Sequence, residues 1–164
     1  MVIEKKIFLN LKGFDVKYWP GEDSKLCDKF VKNKGKIYYM DNMVVRHYRR
    51  ANLLKHLKQI FRYAFTRGKF FREKDKNSKK IIFTFPSIFM IYIILFFIFK
   101  KLILLAPYLI ALSVLLSESL FFKSEKNLFV KVVSPFIIIL NLFTYGLGFL
   151  LSFIFPKYNT KLGR

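Results

Sequence analysis

A run of 19 residues without a charged side chain, from residue 81 to residue 99, constrains this chain more than any other feature. As a helix rising about 1.5 Å per residue it would span about 28 Å, close to the roughly 30 Å of a bilayer's hydrocarbon core. Two further apolar runs cover residues 102–122 and 132–155. The third contains Pro135 and a Gly-x-Gly pair, so a kinked or re-entrant segment would have the same pattern. The sequence therefore predicts a membrane region of two or three hydrophobic helices.

The formal net charge is +20, and most of it precedes the apolar half. Residues 1–80 hold 22 basic and 8 acidic side chains, a balance of +14 (22 − 8). A basic segment beside hydrophobic helices is typical of a region held against anionic lipid on the cytoplasmic side. We therefore expect a multi-pass protein of the cell membrane, with its basic N-terminal segment in the cytoplasm and membrane lipid as a partner. Nucleic-acid binding is the competing interpretation, but a soluble nucleic-acid binder has no use for the apolar half, so we expect no nucleic-acid partner.

The first 72 residues carry signals for both helices and strands. Trp19-Pro20-Gly21 predicts a turn that leads into a helix beginning at Glu22-Asp23-Ser24, with Gly35 at its end. Residues 36–40 and 43–46 are rich in β-branched and aromatic side chains, which predicts two short strands. The expected fold class is therefore an α+β segment followed by an α-helical membrane region.

Residues 51–72 have the apolar periodicity of an amphipathic helix with cationic flanks, which is typical of a helix lying in the membrane interface. Residues 73–80 are charged and polar and predict a linker. The expected organisation is an N-terminal domain over residues 1–72, this linker, a membrane region over residues 81–155, and a basic tail over residues 156–164.

Several short motifs within residues 2–70 occur in the same order in a known family. They are a Gly-Phe-Asp turn, a Gly-Glu-Asp motif that opens a helix, a glycine that introduces a strand, and a histidine beside arginines. In this chain they are Gly13-Phe14-Asp15, Gly21-Glu22-Asp23, Gly35, and His47 to Arg50. This order resembles the C-terminal, acceptor-side part of family 2 glycosyltransferases with the GT-A fold.

The resemblance implies a role for each matching residue. Asp23 is similar to the general base that takes the proton from the acceptor hydroxyl as that oxygen attacks the anomeric carbon of a nucleotide-sugar. Glu22 would position this base or bind acceptor hydroxyls. Gln59-x-x-Arg62-Tyr63 resembles the Gln-x-x-Arg-Trp motif of processive polysaccharide synthases, which lies over the acceptor and the diphosphate. Since Tyr replaces Trp, we do not infer a polymerase.

Two further residues have roles that only the resemblance implies. Arg50 is expected to bind the diphosphate, and His47 is similar to the histidine that completes a metal site in some members. A divalent cation, Mg²⁺ or Mn²⁺, is expected for the complete enzyme.

Cys27 is the only cysteine, so the chain forms no intramolecular disulfide and no cysteine-based metal cluster.

One part of the family's pattern is missing. The sequence contains no Asp-x-Asp pair, which in the family brings the metal to the nucleotide diphosphate, and no long alternating β/α segment to bind the nucleotide. The resemblance therefore implies the C-terminal fragment of a membrane-bound enzyme that transfers a sugar to a cell-envelope or lipid-linked acceptor. Its donor-binding half would be encoded upstream. The alternative is a non-catalytic basic membrane anchor, a remnant or partner subunit of a split glycosyltransferase.

The residues also have simpler interpretations when the resemblance is set aside. Glu22 and Asp23 are acids in a helix's first turn, where each stabilises the helix by about 0.3–1 kcal/mol. Gln59 and Arg62 are neighbours on one helix face, and a solvated face or a lipid-phosphate contact fits them as well as a diphosphate does. His47 lies among cations that disfavour a metal ion. The residues alone leave both interpretations open.

Overall fold

A computed structural model describes residues 2–46, 52–73, 81–122 and 126–156, and within these ranges every regular element is helical. The elements in chain order are α1 (Lys5–Asn10), a 3-10 turn (Val16–Tyr18), α2 (Glu22–Lys32), α3 (Leu53–Arg72), a 3-10 turn (Ile81–Phe83), α4 (Phe85–Phe99), a 3-10 turn (Leu102–Leu105), α5 (Ala106–Phe121) and α6 (Leu128–Ile154). The α+β prediction is therefore wrong, because the part of the chain that the structure describes is all-α.

The two expected strands, over residues 36–40 and 43–46, are absent from the described segment, which is irregular. Its side chains lie in solvent: Tyr38 is 77% exposed and Tyr39 is 93% exposed. A strand is stable only when its backbone groups bond to a neighbour, and even a two-stranded hairpin is marginal without an apolar surface to cover. Here Met43 N–H bonds to the Met40 carbonyl at 3.3 Å, which closes a local turn. The β-branched and aromatic composition of residues 36–46 therefore predicted strands, but the described fold contains no neighbouring strand with which they could pair.

Three helices are long and apolar enough to cross a membrane: Ile81–Phe99, Leu102–Phe121 and Leu128–Ile154. Most of their large apolar side chains are not buried by protein, as lipid-facing helices require. The three expected apolar segments therefore all form helices, and together they suggest a multi-pass membrane protein.

α6 runs without interruption through Pro135. Proline lacks an N–H, so the carbonyl of Lys131, four residues earlier, loses its helical donor. The Ser119 hydroxyl of α5 donates to that carbonyl at 2.7 Å, and it also lies 3.2 Å from the Ser134 hydroxyl. This contact satisfies the carbonyl and joins α5 to α6. The third apolar segment, for which the sequence left a kinked or re-entrant form open, is one continuous 27-residue helix.

α3 packs its apolar face on the C-terminal third of α6. The small residues Ala64 and Gly68 on α3 face Gly148 and Ser152 on α6, and both Ala64 and Ser152 are fully buried. A Cβ added to Gly148 would lie 2.7 Å from the carbonyl oxygen of Phe61, so the two helices approach closely at this point. Small residues four apart allow such an approach between membrane helices. The Gly146-x-Gly148 pair thus serves helix packing, and α3 is fixed to the membrane helices.

Candidate functional site

The turn before α2 is built on Gly21. Its φ of 147° lies in a region that favours glycine, and an added Cβ would meet both the Tyr18 carbonyl oxygen and the Phe70 ring at 3.1 Å. Phe70, on α3, is only 3% exposed, and its ring centroid lies 5.4 Å from that of Tyr18. The close fit of Gly21 against Phe70 sets the start of α2 on the side of α3.

Basic side chains reinforce this contact between α3 and the start of α2. The Lys25 ammonium lies 4.5 Å from the Phe70 ring centroid, 4.8 Å from the Tyr18 centroid and 3.6 Å from the Glu73 carboxylate. The Lys69 ammonium donates to the Lys17 carbonyl at 3.1 Å. Burial raises the pKa of the Tyr18 phenol, the Glu73 carboxylate raises it further, and Lys25 lowers it.

Glu22 and Asp23 occupy the first turn of α2, as the sequence predicts. The Glu22 carboxylate accepts a hydrogen bond from the Gly21 N–H at 2.8 Å, and the Asp23 carboxylate accepts one from the Ser24 N–H at 2.7 Å. These bonds satisfy N–H groups that a helix terminus leaves without partners. They also orient the two carboxylates, and the exposed Asp23 has further lone pairs for another partner.

One open cavity of about 120 Å³ joins the start of α2 to the middle of α3. Its lining includes five residues that the sequence singles out as candidates: Glu22, Asp23, Gln59, Arg62 and Tyr63. Gln59 and Arg62 are one helical turn apart, which places both on the face of α3 toward α2. The fold thus brings two acids and a cation into one cleft from elements that are distant in the chain.

Trp19 completes the cavity, and the sequence reasoning did not include it as a site residue. The Arg62 guanidinium lies 5.1 Å from the Trp19 ring centroid, within range of a cation–π interaction. This contact holds the Arg62 side chain across the cavity wall. The only available signal was the position of the sole tryptophan, two residues before the Gly-Glu-Asp motif.

The cavity does not provide a metal site by itself. Among the residues that the structure describes, no three His, Cys, Asp or Glu side chains lie close enough together to hold a metal ion. Glu22 and Asp23 are the two carboxylates in the cavity, and each already accepts a backbone N–H. The described residues therefore do not fit the Mg²⁺ or Mn²⁺ expected for the complete enzyme.

Two candidate residues, His47 and Arg50, lie outside the described residues. Residues 74–80 of the expected linker and residues 157–164 of the expected tail lie outside them as well.

Comparison with protein-family models, curated proteins and solved structures finds no match to this chain. The resemblance to family 2 glycosyltransferases therefore depends on its motif residues alone.

Proposed function

We propose that this chain is the acceptor-side and membrane-anchoring part of a glycosyltransferase. It would act on a nucleotide-sugar and a cell-envelope or lipid-linked acceptor at the cytoplasmic face of the membrane. The supporting observation is the common cavity of Glu22, Asp23, Gln59, Arg62 and Tyr63. The two acids and the Gln-x-x-Arg-Tyr motif come from separate helices. If Glu22 and Asp23 served only to stabilise the first turn of α2, nothing would require them to face that motif.

In the proposed reaction, Asp23 accepts the proton of the acceptor hydroxyl while that oxygen attacks the anomeric carbon. The bond from that carbon to the nucleoside diphosphate breaks, and the diphosphate leaves with the electron pair. Arg62, held against Trp19, offsets the negative charge that develops on the leaving group. Glu22, fixed by the Gly21 N–H, positions the acceptor.

The donor nucleotide and its divalent cation require residues that the described cavity does not contain. We propose that another polypeptide segment, encoded upstream and bearing an Asp-x-Asp pair, binds both of them. No step assigned to this chain passes through the metal.

Isolated membranes of the source organism test this proposal, with the endogenous copy replaced by Asp23→Asn. Membranes are incubated with radiolabelled nucleotide-sugars, and the label in the lipid and envelope fractions is counted. Loss of a general base lowers the rate about 10²- to 10⁴-fold. Asp28→Asn is the matched control, because Asp28 lies on the same helix, in an i,i+4 ion pair with Lys32, and does not line the cavity. Equal transfer by wild type and Asp23→Asn would contradict the assignment of Asp23.

A second candidate function is a non-catalytic anchor that supports a partner chain. The close packing of α3 on α6 favours it, since this joins a helix with six Lys or Arg and no Asp or Glu to the membrane region. An anchor predicts that deleting the chain abolishes sugar transfer while Asp23→Asn leaves it intact. The catalytic proposal predicts loss in both cases.

A further inference from the structure

A second cavity adjoins the first and is larger, about 410 Å³. Asp23 and Tyr63 line both cavities, so the two form one continuous cleft along α3. The size lies within the range of sites for small organic ligands and exceeds what an inorganic ion needs. An occupant of the second cavity would therefore be an organic molecule that reaches toward Asp23.

The second cavity lies at the edge of the membrane region. Phe83 and Pro86, which line it, are among the first residues of the first candidate span. Tyr145 of α6 lines it as well, and a Cβ added to the adjacent Gly146 would lie 2.5 Å from the Pro86 carbonyl oxygen, so both helices reach this level together. The part of α6 from Leu128 to Tyr145 rises about 27 Å at 1.5 Å per residue, close to the bilayer's hydrocarbon thickness. The cavity therefore lies beside the N-terminal end of the first candidate span.

The lining combines an anion-binding side chain with an apolar wall. The Arg67 guanidinium lies 4.5 Å from the Phe83 ring centroid and interacts with the Tyr145 side chain. The buried Thr66 adds a hydroxyl, while Phe83 and Pro86 supply apolar surface on the membrane side. A guanidinium has five donors in a planar fork that matches phosphate oxygens. The complementary ligand has a phosphate head and a hydrocarbon chain.

We propose that the second cavity binds the phosphate head group of a membrane amphiphile. Arg67 and Tyr145 contact the phosphate, and the chain leaves past Phe83 and Pro86 into the bilayer. A hydroxyl carried on this head group would lie beside Asp23, at the junction of the two cavities. The use of that hydroxyl as the sugar acceptor rests on the proposed function, whereas the binding of the phosphate by Arg67 does not.

Photolabelling of the full chain in dodecyl maltoside micelles, which contain no phosphate, tests the site. The probe is hexadecyl phosphate with a diazirine in its chain, and peptide mass spectrometry locates the label. We expect the probe to label α3 and residues 82–86. Excess unlabelled hexadecyl phosphate should abolish this labelling. Hexadecanol and inorganic phosphate at the same concentration should not. We expect Arg67→Gln to lower this labelling about tenfold, because a charged hydrogen bond is lost.

Two variants separate a binding defect from a folding defect. Arg67→Lys keeps the charge and should retain more labelling than Arg67→Gln. Lys55→Gln removes a cation at an exposed position of the same helix and should label as wild type does. Labelling spread evenly over α4 and α5, displacement by inorganic phosphate, or equal labelling of wild type and Arg67→Gln would each overturn the proposal.

The photolabelling result for the lipid site can be distinguished from the sugar-transfer result that tests the proposed function. Specific labelling without any Asp23-dependent sugar transfer would retain the lipid site and reject the enzyme. Asp23-dependent transfer in a chain that the probe does not label would retain the enzyme and reject the lipid site.

Discussion

The close approach of α3 and α6 makes Gly68→Ala a sharp test of the fold. The new Cβ would lie 2.9 Å from both the Phe149 carbonyl oxygen and the Ser152 Cβ, well inside the roughly 3.5–4.0 Å of an ordinary carbon contact. To make room for the new Cβ, the Ser152 hydroxyl must turn aside. This hydroxyl donates to the Phe149 carbonyl at 2.7 Å, so its rotation breaks a buried hydrogen bond. Overpacking costs about 1–3 kcal/mol. Alanine recovers up to about 1 kcal/mol through its higher helix propensity. The broken hydrogen bond adds about 1 kcal/mol and offsets that gain. We therefore expect a net loss of about 1–3 kcal/mol in the free energy of unfolding.

The assay is SDS-induced unfolding in mixed micelles, followed by far-UV circular dichroism and by the fluorescence of Trp19, the sole tryptophan. Ser152→Gly removes the obstructing Cβ and hydroxyl, so adding it should recover part of the loss from Gly68→Ala, with a coupling of about 1 kcal/mol. Lys55→Ala is the control on the exposed side of α3. If Gly68→Ala is as stable as wild type, or if its effect and that of Ser152→Gly simply add, the helices do not approach as described.

Two further substitutions test the membrane helices and the site. Ser119→Ala leaves the Lys131 carbonyl without its donor and should lower the free energy of unfolding by about 1 kcal/mol. Ser113→Ala should have a smaller effect in the same SDS titration, because the Ser113 hydroxyl donates to the Ile110 carbonyl within α5. Gly21→Ala forces a side chain into a strained conformation that costs about 1–3 kcal/mol and displaces the start of α2, so sugar transfer by isolated membranes should fall. Gly13→Ala is also strained, at φ 60°, but Gly13 lines neither cavity, so sugar transfer should be unchanged.

The elements predicted well from sequence are those governed by local chemistry. The apolar segments form helices because a chain surrounded by lipid must satisfy its backbone internally. α2 begins at Glu22 because acids stabilise a first turn, and α3 follows its 3.6-residue periodicity. The helical spacing of Gln59 and Arg62 also predicted that these two side chains would share one helix face, and both line the first cavity.

The features that sequence reasoning missed depend on contacts between distant parts of the chain. Residues 36–46 have strand-like composition, but strand formation depends on a partner that composition does not reveal. The packing of Gly68 against Ser152 and the contact of Arg62 with Trp19 likewise join distant segments. Arg67 lies one turn after Tyr63, so extending the helical face by four residues would have identified it as a neighbour of the site.

Sugar transfer in membranes carrying Asp23→Asn, beside membranes carrying Asp28→Asn, tests the central claim most directly. The two substitutions remove the same charge from the same helix, but only Asp23 lines the cavity with Arg62. We predict that Asp23→Asn lowers transfer of the labelled sugar at least about 100-fold. Asp28→Asn should transfer the sugar at close to the wild-type rate, because Asp28 lines neither cavity. Equal rates for the two variants would contradict the assignment of the cavity as a glycosyl-acceptor site.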